Sequence, residues 1–133
     1  MSGKYFTVEE ANAWLPVVDQ ELRKLQSLKR NFESKYMELR QKKEEDAMTT
    51  PGDQDPYFIM EAELEFMQME AQGLIAGFQL KGIELKDIDT GLVDFPAWMD
   101  GQEVLLCWKQ GEDAIHYYHG KHDGFAGRKP LAD

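Results

Sequence analysis

Three histidines, His116, His119 and His122, fall within seven residues of one another near the end of the chain. Imidazoles so clustered are common metal ligands and the side chains best suited to move protons near neutral pH. On an extended strand, however, His116 and His119 are an odd number of residues apart and point to opposite faces. Only a turn beginning near Gly120 could bring two of the three together. His119 shares its face with Ile115 and Tyr117, which favours a half-buried imidazole hydrogen-bonded within the core over a ligand or an acid–base group. His116 and His122 read as solvated.

The aspartates Asp87, Asp89 and Asp94 flank the dipeptide Thr90-Gly91. Carboxylates gathered by a turn can offer oxygen ligands to a divalent metal such as Mg²⁺ or Ca²⁺, although aspartate beside Thr-Gly is also ordinary turn chemistry. Arg128 follows Gly124 and Gly127, which permit a tight turn with exposed backbone donors, and a guanidinium there can grip a carboxylate or phosphate through two parallel hydrogen bonds. The competing assignment pairs Arg128 with Asp87 or Asp94, while Phe125 and Leu131 anchor the tail on a sheet. The single cysteine, Cys107, cannot form an internal disulfide; within the apolar run Val104-Leu105-Leu106-Cys107-Trp108 it reads as a buried, inert thiol.

Motifs of fixed spacing are missing from the sequence. It contains no glycine-rich phosphate loop ending in Lys-Ser/Thr, no Gly-x-Ser-x-Gly, no His-Glu-x-x-His and no Cys-x-x-Cys. A carboxylate-bridged dimetal centre in a helical bundle needs Glu-x-x-His pairs. Glu61 and Glu65 could share a helix face, but no histidine precedes His116.

The elements that would position these groups follow from periodicity and punctuation. Thr7-Val8-Glu9-Glu10 is a capping box that starts a helix. Apolar residues recur at Val8, Ala11, Leu15, Val18, Leu22 and Leu25, skip at Lys29, and resume at Phe32, Tyr36 and Leu39, a narrow helical seam. Pro16 inside it predicts a kink near Asn12–Pro16 that divides the helix into two collinear pieces. Thr49, Thr50, Pro51, Gly52 and Asp53 break the helix, and Asp55-Pro56 caps a second one with a seam of Ile59, Ala62, Phe66, Met69, Gly73, Ala76 and Leu80, ending at Gly82. The small residues Gly73, Ala76 and Gly77 imply close approach of another backbone.

After Gly82 the period shortens to that of strands. Ile83–Asp89, Leu92–Phe95, Glu103–Lys109 and Ala114–His119 read as a meander, with Thr90-Gly91, Asp100-Gly101 and Gln110–Asp113 as turns. Glu103–Lys109 is apolar on both faces, the mark of a central strand covered on one side by helix and on the other by the tail. The expected architecture is one α+β domain over residues 1–133: an antiparallel two-helix hairpin over 7–82, then a small antiparallel β-meander and glycine-rich tail over 83–133. Because the distal helices outreach the meander, the hairpins are expected to pair as a homodimer with a four-helix bundle.

Composition limits the partners. A formal charge of -10 opposes nonspecific binding to nucleic acid or anionic membrane. The basic stretch Arg23–Lys43 is better used against the acidic segment bearing Glu61, Glu63, Glu65 and Glu70, as an intramolecular complement. No segment has the length and apolarity of a signal peptide or a membrane span, so a cytoplasmic location is expected.

Four blocks carry a resemblance to a known family. Tyr5-Phe6-Thr7-Val8-Glu9-Glu10-Ala11-Asn12-Ala13, Ile88–Pro96, Glu103–Lys109, and Tyr117–Gly120 with Gly124–Leu131 resemble, in order and over nearly the whole chain, the bacterial domain-of-unknown-function family 2203. The resemblance implies a small bacterial protein with a ferritin-like helical arrangement and assigns no activity. Its motif histidine corresponds to His119, and Asp89, Asp94 and Arg128 fall in motif blocks, whereas His116 and His122 do not. Tyr118 stands where the family usually has tryptophan. Two functions are therefore weighed: a noncatalytic dimeric binding or scaffold protein with a small-anion or protein partner, and a metal- or anion-assisted enzyme using His119, Asp87, Asp89, Asp94 and Arg128.

Overall fold

The structure, a computed structural model, describes residues 4–47 and 57–131. Helix α1 runs Val8–Asp46 and begins with the expected capping box. Thr7 Oγ1 accepts from the Glu10 amide at 3.0 Å, and the Glu10 carboxylate accepts from the Thr7 amide at 2.9 Å. The helix continues through Pro16 as one element, with the proline on its exposed side, so the expected division into two pieces does not occur. Ala11, Leu15, Val18, Leu22, Leu25 and Leu39 are buried along the predicted seam.

Helix α2 spans Phe58–Leu80; its expected Asp55-Pro56 cap and the hairpin loop lie outside the described residues. Its end has a clear cause. Gly82 adopts φ +77°, its amide bonds Gln79 O at 3.0 Å, and the Ile83 amide bonds Phe78 O at 3.0 Å, which together satisfy carbonyls left over in the last turn. Lys35 and Glu63 form an ion pair between the helices, as the charge bias anticipates, while Arg23 and Arg40 pair within α1 with Asp19 and Glu44.

The predicted α2 seam faces outward, a correction to the sequence reading. Ile59, Phe66, Met69 and Leu80 are 61–89% exposed, and Ala62, Gly73 and Ala76 are exposed beside them. The buried side instead carries Leu64 and Phe78, with Met60, Met67, Ala71, Leu74 and Ile75 half-buried. This helix is apolar on two faces, and periodicity identifies stripes without saying which stripe meets α1. A Cβ on Gly73 would meet no atom within 4 Å, so the close approach expected there is not made among the described residues. A helix-interior glycine costs roughly 0.5–1 kcal/mol relative to alanine.

The sheet has five antiparallel strands in sequential order: β1 Glu84–Asp87, β2 Leu92–Met99, β3 Gln102–Lys109, β4 Tyr117–Gly120 and β5 Lys129–Pro130. The third strand is central, as its two-faced apolar composition requires, and Val104–Trp108 are all buried. Two boundaries differ from expectation by more than two residues. β2 extends past Pro96 to Met99, and the segment before Tyr117 is not strand, which leaves His116 outside the sheet. One face of the sheet presents Val93, Phe95, Ala97, Val104, Leu106 and Trp108 to Leu15, Val18, Leu22 and Phe78 of the helices. The other presents the alternate residues, Asp94, Leu105, Cys107 and His119.

Gln110, just beyond β3, ties the sheet to α1. Its Nε2 donates to Asp19 Oδ1 at 2.8 Å, and its Oε1 accepts from Gln26 Nε2 at 2.7 Å. Gly91 makes room for it: φ is +68°, and a Cβ there would lie 2.5 Å from Gln110 Cβ. Gly91→Ala is therefore expected to lower stability by at least about 1–3 kcal/mol, the usual cost of a non-glycine residue held at positive φ. Urea denaturation measures it, and an unchanged midpoint would contradict this role for the glycine.

Candidate functional site

Register brings together residues that sequence separation hides. Asp94 of β2 lies directly across from Cys107 of β3, and His119 of β4 lies across from Leu105, two residues along β3 on the same face. Three adjacent strands thus turn a carboxylate, a thiol and an imidazole to one side, and their ligand atoms all lie within 4.8 Å of one another. All three residues are buried, with Asp94 and His119 each 2% exposed and Cys107 fully enclosed.

The hydrogen bonds fix how protons are distributed. His119 Nδ1 lies 2.8 Å from Gly120 O, a group that can only accept, so Nδ1 carries a proton. Nε2 lies 3.0 Å from Asp94 Oδ2. That contact holds a second proton, either as imidazolium with carboxylate or as imidazole with carboxylic acid. Burial pushes Asp94 above the ordinary carboxylate range, against the opposing pull of His119. Asp94 Oδ1 is buried without a hydrogen-bond partner, a costly arrangement for a carboxylate oxygen.

Cys107 interacts with both Asp94 and Arg128. Burial, reinforced by the Asp94 charge and countered by Arg128, pushes its thiol up to about 11. Arg128 lies across the same face of the sheet: its guanidinium carbon is 4.0 Å from the Tyr117 ring centre and 4.2 Å from that of Phe125. Its Nη1 and Nη2 donate to the two Glu112 oxygens at 3.2 and 2.8 Å. The tail reaches this position through a single 3-10 turn at Phe125–Gly127 and strand β5. Leu131 packs against the core cluster, as expected of a tail anchor.

The sequence candidates separate into those that converge and those that do not. His119 and Asp94 meet, and Arg128 approaches the same cluster through Cys107. Arg128 pairs with Glu112 and not with Asp87 or Asp94, because the tail returns beside β4 and the connection that follows β3. Asp87 instead accepts from the amide and hydroxyl of Thr90, and Asp89 binds Lys29 Nζ at 2.8 Å. Both are exposed at the β1–β2 turn, while Asp94 points inward from mid-strand, so the three aspartates do not form one oxygen site. His116 and His122 are exposed, and His116 bonds Asp113. His119 is fully buried where half-burial was expected.

Cys107 is buried as predicted, but its place beside two titratable groups was missed. The available signal was parity: in an antiparallel sheet, pairing Asp94 with Cys107 follows once Asp100-Gly101 is accepted as the β2–β3 turn. An open groove of about 850 Å³ lies elsewhere, lined in part by Lys4, Tyr5, Phe78, Lys86, Glu103 and Lys121. Two of its lysines are paired within it, Lys86 with Glu84 and Lys121 with Glu103, and it includes none of the three converging donors.

The conserved pattern of the family described as "Uncharacterized conserved protein (DUF2203)" matches residues 4–131, and the chain belongs to that family. No curated protein and no solved structure matches it. Among the described residues, no helix is long and apolar enough to cross a membrane.

Proposed function

We propose that this protein is a noncatalytic binding protein whose ligand is one divalent transition metal of the zinc class, held by Asp94, Cys107 and His119. The observation that carries this reading is the convergence of three different buried donors within 4.8 Å, with a carboxylate oxygen among them lacking any partner. The imidazole is also oriented as metal-binding histidines usually are: one ring nitrogen donates to a carbonyl, and the other, Nε2, is aimed at the prospective ligand. Thiolate, imidazole and carboxylate are together the ligand types of zinc sites, and a hard cation such as Mg²⁺ would not favour the sulfur.

Size and charge are compatible. Zinc bonds of about 2.0–2.3 Å place neighbouring tetrahedral donors roughly 3.3–3.7 Å apart, so the widest separation in the set, at most 4.8 Å, must tighten while His119 Nε2 and Asp94 Oδ2, now 3.0 Å apart, open slightly. A thiolate and a carboxylate neutralise a divalent ion, and Glu112 already balances Arg128. Three protein ligands leave a fourth position for water or a small ligand. The near-complete burial of all three donors keeps organic substrates away from that position and favours binding over turnover.

Metal-free protein titrated with Co²⁺ under reducing conditions is expected to bind one ion per chain, with thiolate-to-metal charge-transfer absorption that Zn²⁺ abolishes by displacement. Cys107→Ser, nearly isosteric, should remove that absorption and weaken binding at least about tenfold, the lower end of the effects seen when even the supporting residues of a metal site are replaced. Failure of the wild-type protein to take up stoichiometric Co²⁺ or Zn²⁺ would reduce the cluster to a structural polar network.

A further inference from the structure

We infer that the outward stripe of α2 is a self-complementary seam on which a second copy of this chain docks, antiparallel, about a two-fold axis near Ala71. The stripe spaces its apolar residues alternately three and four apart from Ile59 to Leu80, the period with which one helix packs along another. Among the described residues nothing covers it: its large members are more than three-fifths exposed and Gly73 has open space where a side chain would stand.

The order of large and small residues selects the partner. In an antiparallel pair centred near Ala71, the successive layers set Ala62 against Leu80, Phe66 against Ala76 and Met69 against Gly73. Each of these layers joins one large residue to one small one, Ile59 lying beyond the paired stretch, and the symmetry repeats each layer on the other side of the axis. Sliding the copies by one heptad would set Ala62 against Gly73, leaving a void, and Phe66 against Met69, crowding the next layer. A glycine that is unfavourable in an isolated helix is thereby given a use.

Charge selects the same orientation. All four acids of α2, Glu61, Glu63, Glu65 and Glu70, precede Ala71, and Ala71–Leu80 is uncharged and followed by Lys81. Parallel pairing would align acid with acid, whereas antiparallel pairing lays each acidic half along the partner's neutral half. This inference is independent of metal binding.

Sedimentation equilibrium of the wild-type chain across a concentration series tests it, together with two seam variants and two cysteine pairs. The wild-type protein is expected to sediment as a dimer. Gly73→Leu should preserve helical circular dichroism, because leucine is the better helix former, yet weaken dimerisation by about 30-fold or more, the loss that accompanies disruption of an interface hot spot. Ala76→Glu should act likewise. Phe66→Cys/Ala76→Cys should form interchain disulfides on oxidation, and Ile59→Cys/Ala76→Cys, which matches the slipped register, should not. A wild-type monomer at every concentration, a dimer indifferent to both seam variants, or preferential crosslinking of the slipped pair would overturn the inference.

Discussion

Replacing His119 with leucine is expected to cost the metal-free fold about 3–5 kcal/mol at neutral pH, the usual penalty for leaving one member of a buried charged pair without its partner. Asp94 would then be a buried carboxylate whose Oδ1 has no partner already and whose Oδ2 has lost Nε2. The pH dependence has a definite sign. Burial raises the Asp94 pKa, and without the imidazole nothing on His119 opposes that shift. The folded variant thus prefers the protonated acid, and the unfolded chain ionises at the ordinary carboxylate value. Its stability relative to wild type is best in acid and falls as pH rises from the ordinary range through the elevated pKa. Asp94→Leu/His119→Leu should recover much of the loss, because removing both polar groups removes the uncompensated one. Urea denaturation of the wild-type protein, the single variant and the double variant at several pH values provides the measurement. A single variant as stable as wild type, or a double variant no better than the single, would contradict an energetically coupled pair.

A second large effect is expected in metal affinity, which should rise about a hundredfold per pH unit while the metal-free site retains both of its displaceable protons. One is the thiol proton of Cys107, held because burial pushes that group up to about 11. The other is the proton shared by His119 Nε2 and Asp94 Oδ2. The proton on Nδ1 is not displaced, since it bonds Gly120 O and takes no part in ligation. Binding through all three donors therefore releases two protons per ion, and each contributes about a factor of ten per pH unit. Calorimetric titration with Zn²⁺ in buffers of different ionisation enthalpy counts them directly. Cys107→Ser should reduce the number to one if it still binds metal, and release of a single proton by the wild-type protein would exclude the three-donor arrangement.

Much of the fold was legible because it rests on local chemistry. The Thr7–Glu10 capping box, the glycine stop at Gly82 and the apolar run of β3 each report a backbone requirement that neighbouring residues satisfy. The site was only half legible. Histidine and aspartate attract notice by type, but the aspartates of the turn resemble Asp94 until strand direction separates them. Cys107 was concealed by its apolar neighbours, because burial of a thiol and proximity of that thiol to a carboxylate leave the same mark in a sequence. The short strand β5 was equally hidden, since two residues carry no measurable alternation.

By itself, then, the sequence determined that a helical hairpin precedes an antiparallel sheet, where most elements begin and end, and that His119, Asp94 and Arg128 were worth locating. Those are consequences of capping, periodicity and turn residues, all of which act over a few positions. Tertiary structure alone decided that α2 turns its Leu64 and Phe78 side inward and leaves the heptad stripe outside, because either apolar face could have met α1. It also decided which donors converge. Strand register sets Asp94 opposite Cys107 and carries His119 to the same face, and register is a property of paired strands that no single segment contains.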